Sequence, residues 1–263
     1  MAHYLVSARA KNGALRRVRQ LLDEGVIASM RPFGQALNFS LRTMRYDLRG
    51  NLVWEEEDYC IPPLAMERET VLDKYFDIVS IEPVNRGEGW SKLSFYPSVW
   101  TIFSGLPERR GEKPLTRKGM PHQQLTQNSD AKTYRSLAEL LFSLPSVREE
   151  MSAVSVPGAR ALVLDEKEPP GPSDAFMTGR EFAHLHPPGD GSLHLMAPPN
   201  WVDEIIGKGW GEKHPAAGLL IPENALMIYA PRNEAEVTTV YEIVLLSYWR
   251  AKGLEVPGPR SLG

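Results

Sequence analysis

The chain of 263 residues has a single cysteine, Cys60. No disulfide can form within one chain, so a reducing, cytoplasmic setting is expected. No run reaches the ~20 apolar residues needed to span a bilayer. The opening stretch, MAHYLVSARA, has no apolar core ahead of a small-residue cleavage site. Neither a membrane partner nor a secretory leader is expected. A charge excess of one sign is also lacking: 30 Lys and Arg against 33 Asp and Glu give a formal net charge of -3. A dedicated nucleic-acid binder would carry a basic patch, so that class is set aside. What remains, 42% hydrophobic and 24% charged residues, is the composition of a globular protein with one large domain or two ordinary ones.

Residues 1–95 read as a first module. Tyr4 to Ala10 suits a short strand, and Leu15, Val18, Leu21 and Leu22 recur at helical spacing. Leu37, Phe39 and Leu41 alternate with polar residues and suggest a half-buried strand. Asp47 to Asn51 reads as a hairpin turn and Leu52 to Tyr59 as its partner strand. A helix follows Pro62 and Pro63, and Ile78 to Val84 closes the set with a strand. The order β-α-β-β-α-β is the ferredoxin-like arrangement. By fold analogy alone, such a module offers its open sheet face for a homodimer. The acidic run from Glu55 to Asp58 cannot converge on one point, because consecutive strand residues face opposite ways. A solvated edge strand is the expectation, with Cys60 a packed thiol.

Residues 96–120 turn polar, with PERRGEKPLTRKGMP lacking apolar periodicity, which is linker composition. Residues 121–252 read as a second, α+β domain: a small, mostly antiparallel sheet with helices packed on it. Tyr134, Leu137, Ala138, Leu141 and Phe142 mark a helix after the cap cluster Asn128 to Asp130. Val237, Val240, Tyr241, Val244, Leu245 and Tyr248 mark the last one, capped by Asn233. Residues 253–263 are expected to be a disordered tail.

Of six histidines, four lie between His184 and His214. His184 and His186 are two apart, so on a strand both project from one face. PPGDG supplies turn chemistry, with Gly189 and Gly191 free to take positive φ around Asp190. A return strand from Ser192 to Ala197 carries His194. This is a β-hairpin that gathers imidazoles, and three chemistries could use it. His184, His186 and His194 could ligate a metal. One of the histidines could be a general base with its other nitrogen oriented by a partner. All could simply hydrogen-bond within the hairpin. Glu181 and Asp190 are nearby carboxylates. Trp210, within Gly209-Trp210-Gly211, could cap a core or wall a pocket for a flat ligand. Arg232 follows Tyr229 near a helix N-terminus, where an anion binds well, or it could pair with Glu181 or Asp190. His3 and His122 carry no assigned role.

Three blocks, REFAHLHPPGDGSLHL, KGWGEKHPAAG and YAPRNEAE, resemble in order and spacing the signature of the fungal luciferase family. The likeness spans about residues 121–252 and is strongest after Arg180; residues 1–95 have no part in it. The resemblance implies a cofactor-independent oxygenase acting with O2 on an enolic or aromatic small molecule such as the hydroxypyrone 3-hydroxyhispidin. Its site would use His184, His186, His194, His214, Arg232 and Glu181 in catalysis, with Trp210 and Tyr229 against the substrate. These roles follow from the chemistry of the side chains. The fungal enzymes begin with a hydrophobic anchoring segment, where this chain has an α/β module, so a soluble bacterial relative is the expectation. A metal-dependent enzyme and a non-catalytic ligand sensor stay open beside the oxygenase.

Overall fold

In a computed structural model, residues 2–47, 51–254, 256, 258 and 259 are described. The chain forms two units that part between Ser104 and Gly105. Both are α+β.

The first unit carries a four-stranded sheet of β1 (Ala2–Ala10), β2 (Arg45–Tyr46), β3 (Leu52–Asp58) and β4 (Phe76–Val84). Its order is β2-β3-β1-β4 and every pairing is antiparallel. Between β1 and β2 run α1 (Ala14–Asp23), α2 (Val26–Ser29) and α3 (Gly34–Thr43). The stretch expected as a strand around Leu37 to Leu41 is therefore helix α3. Leu37 and Leu41 are fully buried and four apart, whereas Phe39, which a strand would place beside them, is 58% exposed. The four-residue spacing carries the burial. A helical stretch joins β3 to β4: α4 (Ala65–Glu67), a π turn (Arg68–Leu72) and α5 (Asp73–Tyr75). Residues 48–50 of the expected hairpin turn lie outside the described residues.

Glu55, Glu56 and Asp58 of the acidic run on β3 are buried rather than solvated, because β3 lies inside the sheet between β2 and β1, and Glu57 is half-buried. Each of the three buried carboxyl groups has its own task. Glu55 accepts from Gly87 N at 2.7 Å and Trp90 N at 3.1 Å. Glu56 accepts from Trp54 Nε1 at 3.1 Å. Asp58 accepts backbone N–H bonds from Tyr59, Cys60 and Leu64, fixing the turn after the strand. Next come α6 (Glu88–Leu93) and α7 (Val99–Ser104). In α7, Val99, Trp100 and Phe103 join the core of this unit. The start of the expected linker is thus core helix, while Gly105 onward belongs to the second unit.

The second unit is built on a six-stranded antiparallel sheet: β5 (Val147–Met151), β6 (Arg160–Leu164), β7 (Glu181–Leu185), β8 (Leu193–Met196), β9 (Gly211–Lys213) and β10 (Ala225–Ile228), in the order β5-β6-β7-β8-β10-β9. Three α-helices accompany it among the described residues: α8 (Ala131–Phe142), α9 (Val202–Gly207) and α10 (Glu234–Ala251). Asp130 caps α8 by accepting from Thr133 N at 2.7 Å, and Asn233 caps α10 by accepting from Glu236 N at 3.1 Å. Helix α10 packs against α8, β7 and β8. It buries Val237, Val240, Val244, Leu245 and Tyr248 as their spacing predicts, and also Ile243, Leu246 and Trp249 on its other sides. The central strands β7 and β8 are buried throughout. Part of the expected disordered tail is ordered: Val256 is buried and its carbonyl accepts from Asn200 Nδ2 at 3.0 Å. Glu255, Pro257 and residues 260–263 of that tail lie outside the described residues. No helix of the described residues is long and apolar enough to cross a membrane.

Candidate functional site

The hairpin of β7 and β8 forms where the turn residues direct it. His186 N donates to Ser192 O at 2.9 Å, and Gly189 and Gly191 take φ of 98° and 71°. An L side chain at either position would be strained. The turn swings Asp190 back beneath the strand, where its Oδ2 accepts from His186 Nδ1 at 2.7 Å. Ser192 N and Oγ hold the other carboxylate oxygen.

His184 and His194 are direct partners across β7 and β8. Their rings meet edge to face, with centroids 5.0 Å apart. His184 Nδ1 lies 2.7 Å from Glu181 Oε1, which also accepts from Ser152 Oγ at 2.7 Å. A carboxylate can only accept, so the proton sits on His184 Nδ1. His184 Nε2 then accepts from His194 Nδ1 at 3.0 Å. The chain of donors fixes both tautomers and leaves a lone pair on His194 Nε2. That nitrogen is buried and has no partner among the described residues.

Two further imidazoles complete the cluster. His214, after β9, lies edge to face with His194 at 4.5 Å, and its Nδ1 accepts from Ala216 N at 3.1 Å. In the neutral ring this places the proton on Nε2. His122 stacks on His194 at 5.2 Å. Its Nε2 donates to Glu212 Oε1 at 2.9 Å, leaving Nδ1 without a partner among the described residues. His186 Nε2 is unpartnered in the same sense. All five rings are buried.

Burial governs the electrostatics. It holds His184 below the usual histidine range against the pull of Glu181, and it depresses His122 likewise. It pushes His194 far below that range, and the neighbouring imidazoles add to the effect. His214 is brought down to about 4 by burial and by His122. For Glu212 burial acts upward, but hydrogen bonds from Lys113, Thr116 and His122 outweigh it and bring the carboxyl to about 2. Burial raises Tyr229 to about 12. Burial thus favours the neutral form of His122, His184, His194 and His214, and carboxylates orient three of the five rings directly: Glu181 on His184, Asp190 on His186 and Glu212 on His122.

The structure brings together His184, His186, His194, His214 and Glu181 from the expected set. Trp210 and Tyr229 are buried, Trp210 with its ring N–H on Pro107 O at 2.6 Å, and Tyr229 with its hydroxyl donating to Glu212 Oε2 at 3.2 Å. Arg232 goes elsewhere. It pairs with neither Glu181 nor Asp190 but forks onto Glu236 on the first turn of α10, with Nε to Oε1 at 2.9 Å, and donates from Nη2 to Arg110 O at 2.7 Å. Its position four residues before Glu236 on the same helix start makes that pairing local. His122, Glu212, Ser152 and Arg109 are the residues that sequence patterning passed over. His122 sits in a short antiparallel excursion, with Arg117 N on Gln123 O and Leu125 N on Leu115 O, whose polar composition carries no periodic signal. His3 stays in the first unit beside Glu55 at 3.1 Å.

Most of the histidine cluster falls in a stretch with known likeness: residues 179–247 match the family model of the Luciferase domain. The chain is also similar to the luciferases of Armillaria ostoyae and Armillaria gallica, at 31% identity over 169 residues in each case, covering 53% of this chain and 58% of the relative. The luciferase of Neonothopanus nambi is 32% identical over 136 residues, covering 51% of this chain and 45% of that protein. The chain thus spans about half the length of the curated relatives it matches. The matched stretch lies within the second unit. No solved structure matches it.

Proposed function

We propose that the histidine cluster is the reaction centre of a luciferase-like oxygenase acting on an enolic or aromatic small molecule of the hydroxypyrone type. O2 is its co-substrate, and no organic cofactor enters the reaction. The observation that carries this reading is the directed chain from Glu181 through His184 to the lone pair on His194 Nε2. A general base needs a free lone pair and a second nitrogen held in place, and this arrangement supplies both. The enol O–H gives its proton to His194 Nε2. The enolate, now electron-rich, adds O2 at carbon, and a neighbouring imidazole N–H such as that of His214 stabilises the oxygen anion that forms. Trp210 and Tyr229 keep the surroundings dry. The segments that carry His122 and His214 also expose Leu115, Met120, Leu125, Leu219 and Leu220, the last two more than 80% exposed, apolar side chains suited to an aromatic ligand.

The test is O2 consumption with 3-hydroxyhispidin as the probe substrate. His184→Ala and His194→Ala should abolish it while the circular dichroism spectrum stays native. Turnover at parental rates in both variants would remove the reading.

A second reading has its own observation. His122 Nδ1, His186 Nε2 and His194 Nε2 are free lone pairs, each backed through its ring by a hydrogen bond, as metal-ligating histidines are. Two sets offer nitrogens within 4.8 Å of one another: His122 with His194 and His214, and His184 with His186 and His194. Each set contains one nitrogen with another commitment, since His214 Nδ1 accepts from Ala216 and His184 Nε2 accepts from His194. That favours the base. Elemental analysis of protein purified without a metal-affinity tag separates the two readings: stoichiometric zinc, iron or copper would establish the metal.

A further inference from the structure

Arg109 is an unusual cation of the second unit. Its side chain is only 2% exposed. Nε and Nη2 have no hydrogen-bond partner among the described residues, and Nη1 reaches Gln127 Oε1 only at 3.5 Å. These two unused donors lie side by side, on the edge of the guanidinium that engages a carboxylate in bidentate fashion. Arg180, in the same unit, gives Nε to Leu164 O and Nη2 to Asp165 O and Glu168 O.

Charge around Arg109 is not balanced locally. The carboxylate of Glu236 stands 3.8 Å from Nε, but Arg232 already holds it through its backbone N–H and its guanidinium. Two guanidinium groups thus share one carboxylate. Leaving a buried cation with spare donors is costly, and an anion that fills them removes the cost.

The position also suits a ligand contact. The guanidinium lies 5.5 Å from the centre of the Tyr229 ring. The Tyr229 hydroxyl donates to Glu212, which accepts from His122. Arg109 and the histidine cluster are therefore linked through one aromatic side chain. Gly209, at φ 78°, runs alongside: a Cβ there would come within 3.7 Å of Arg109 Cβ.

We propose that Arg109 is the anion-recognition residue of the small-molecule site, presenting Nε–H and Nη2–H as a fork to a carboxylate or enolate oxygen of a planar ligand. The inference rests on the histidine cluster being a small-molecule centre, and it adds the charge class of the ligand: a planar molecule that carries a carboxylate or becomes an enolate in the site.

The test uses the full chain and two probes of nearly the same shape, benzoate and benzamide, at millimolar concentration by calorimetry. The parent protein should bind benzoate at least about tenfold more tightly than benzamide. Arg109→Gln should erase that preference, and Arg109→Lys, which keeps the charge without the fork, should recover only part of it. Should the variants fail to fold, the Nε–H resonance of Arg109 in the parent protein gives the answer, shifting with benzoate and staying still with benzamide. Equal binding of the two probes, no binding of benzoate, or undiminished preference in Arg109→Gln overturns the proposal. None of these measurements needs O2 or turnover, so they stand or fall apart from the oxygenase reading.

Discussion

His184 Nε2 lies 3.0 Å from His194 Nδ1, and the two residues are opposite one another in the pairing of β7 with β8. The sheet itself therefore sets the distance between the two rings. Because Glu181 orients the first ring, Glu181→Gln should act at a distance on His194. An amide can present its NH2 to His184 Nδ1 and invert the tautomer chain. Turnover is expected to fall by about 10²-fold or more, the range a positioned base supplies. Combining Glu181→Gln with His184→Ala should cost little beyond His184→Ala alone, because the residues act as a unit. Steady-state O2 uptake checks both, and simple additivity would argue against a relay.

Gly211 begins β9, and a Cβ placed there would collide with Met227 O on the neighbouring β10. Gly211→Ala must push the strands apart or distort them. A loss of about 1–3 kcal/mol is expected, as for other overpacked sites. Urea denaturation should show a lower midpoint with an unchanged slope. Part of the Gly-Trp-Gly block is thereby explained by strand packing.

The cluster should also make the second unit acid-sensitive. His214 is held near 4 when folded, against 6.5 for its ordinary value, by burial and by His122. Between those values the unfolded chain binds more protons than the folded one. Stability therefore declines as the pH falls from about 6.5 toward 4. Thermal melts across that window should show it, and His214→Gln should flatten the decline.

Glu56 in the first unit works in the opposite direction. Burial raises its carboxyl well above the usual range of 4.5, and Glu67 and Asp58 add to the rise. Here the folded state holds the proton more tightly. Stability is fullest below the unfolded value and is lost as the pH rises above it. Glu56→Gln should keep the acceptor for Trp54 Nε1 and raise the melting temperature at pH 7 to 8 in differential scanning calorimetry. A lower melting temperature at every pH would contradict this account.

What the sequence made legible followed periodicity. The two-residue spacing of His184 and His186, with glycines flanking Asp190, identified the hairpin and its imidazoles. The stripe from Val237 to Tyr248 located α10. Where two periods competed, as at Leu37, Phe39 and Leu41, the pattern supported a strand while burial followed a helix. Glu55, Glu56 and Asp58 were misplaced because their burial depends on which strand lies beside β3, a tertiary fact. His122 and Arg109 lie in a polar stretch with no repeat. Their partners, Glu212 and Tyr229, stand some 90 to 120 residues further along. Nothing local announces such a pairing.

The turn at Pro187 to Gly191 divides the site in an uneven way. Asp190, which orients His186, belongs to the turn, while Glu181, His184 and His194 are fixed by the strands. A change in loop length or composition would re-aim His186 and leave the other three in place. The site is modular: one imidazole can be retuned for a new ligand without dismantling the rest, which gives this hairpin room to diversify.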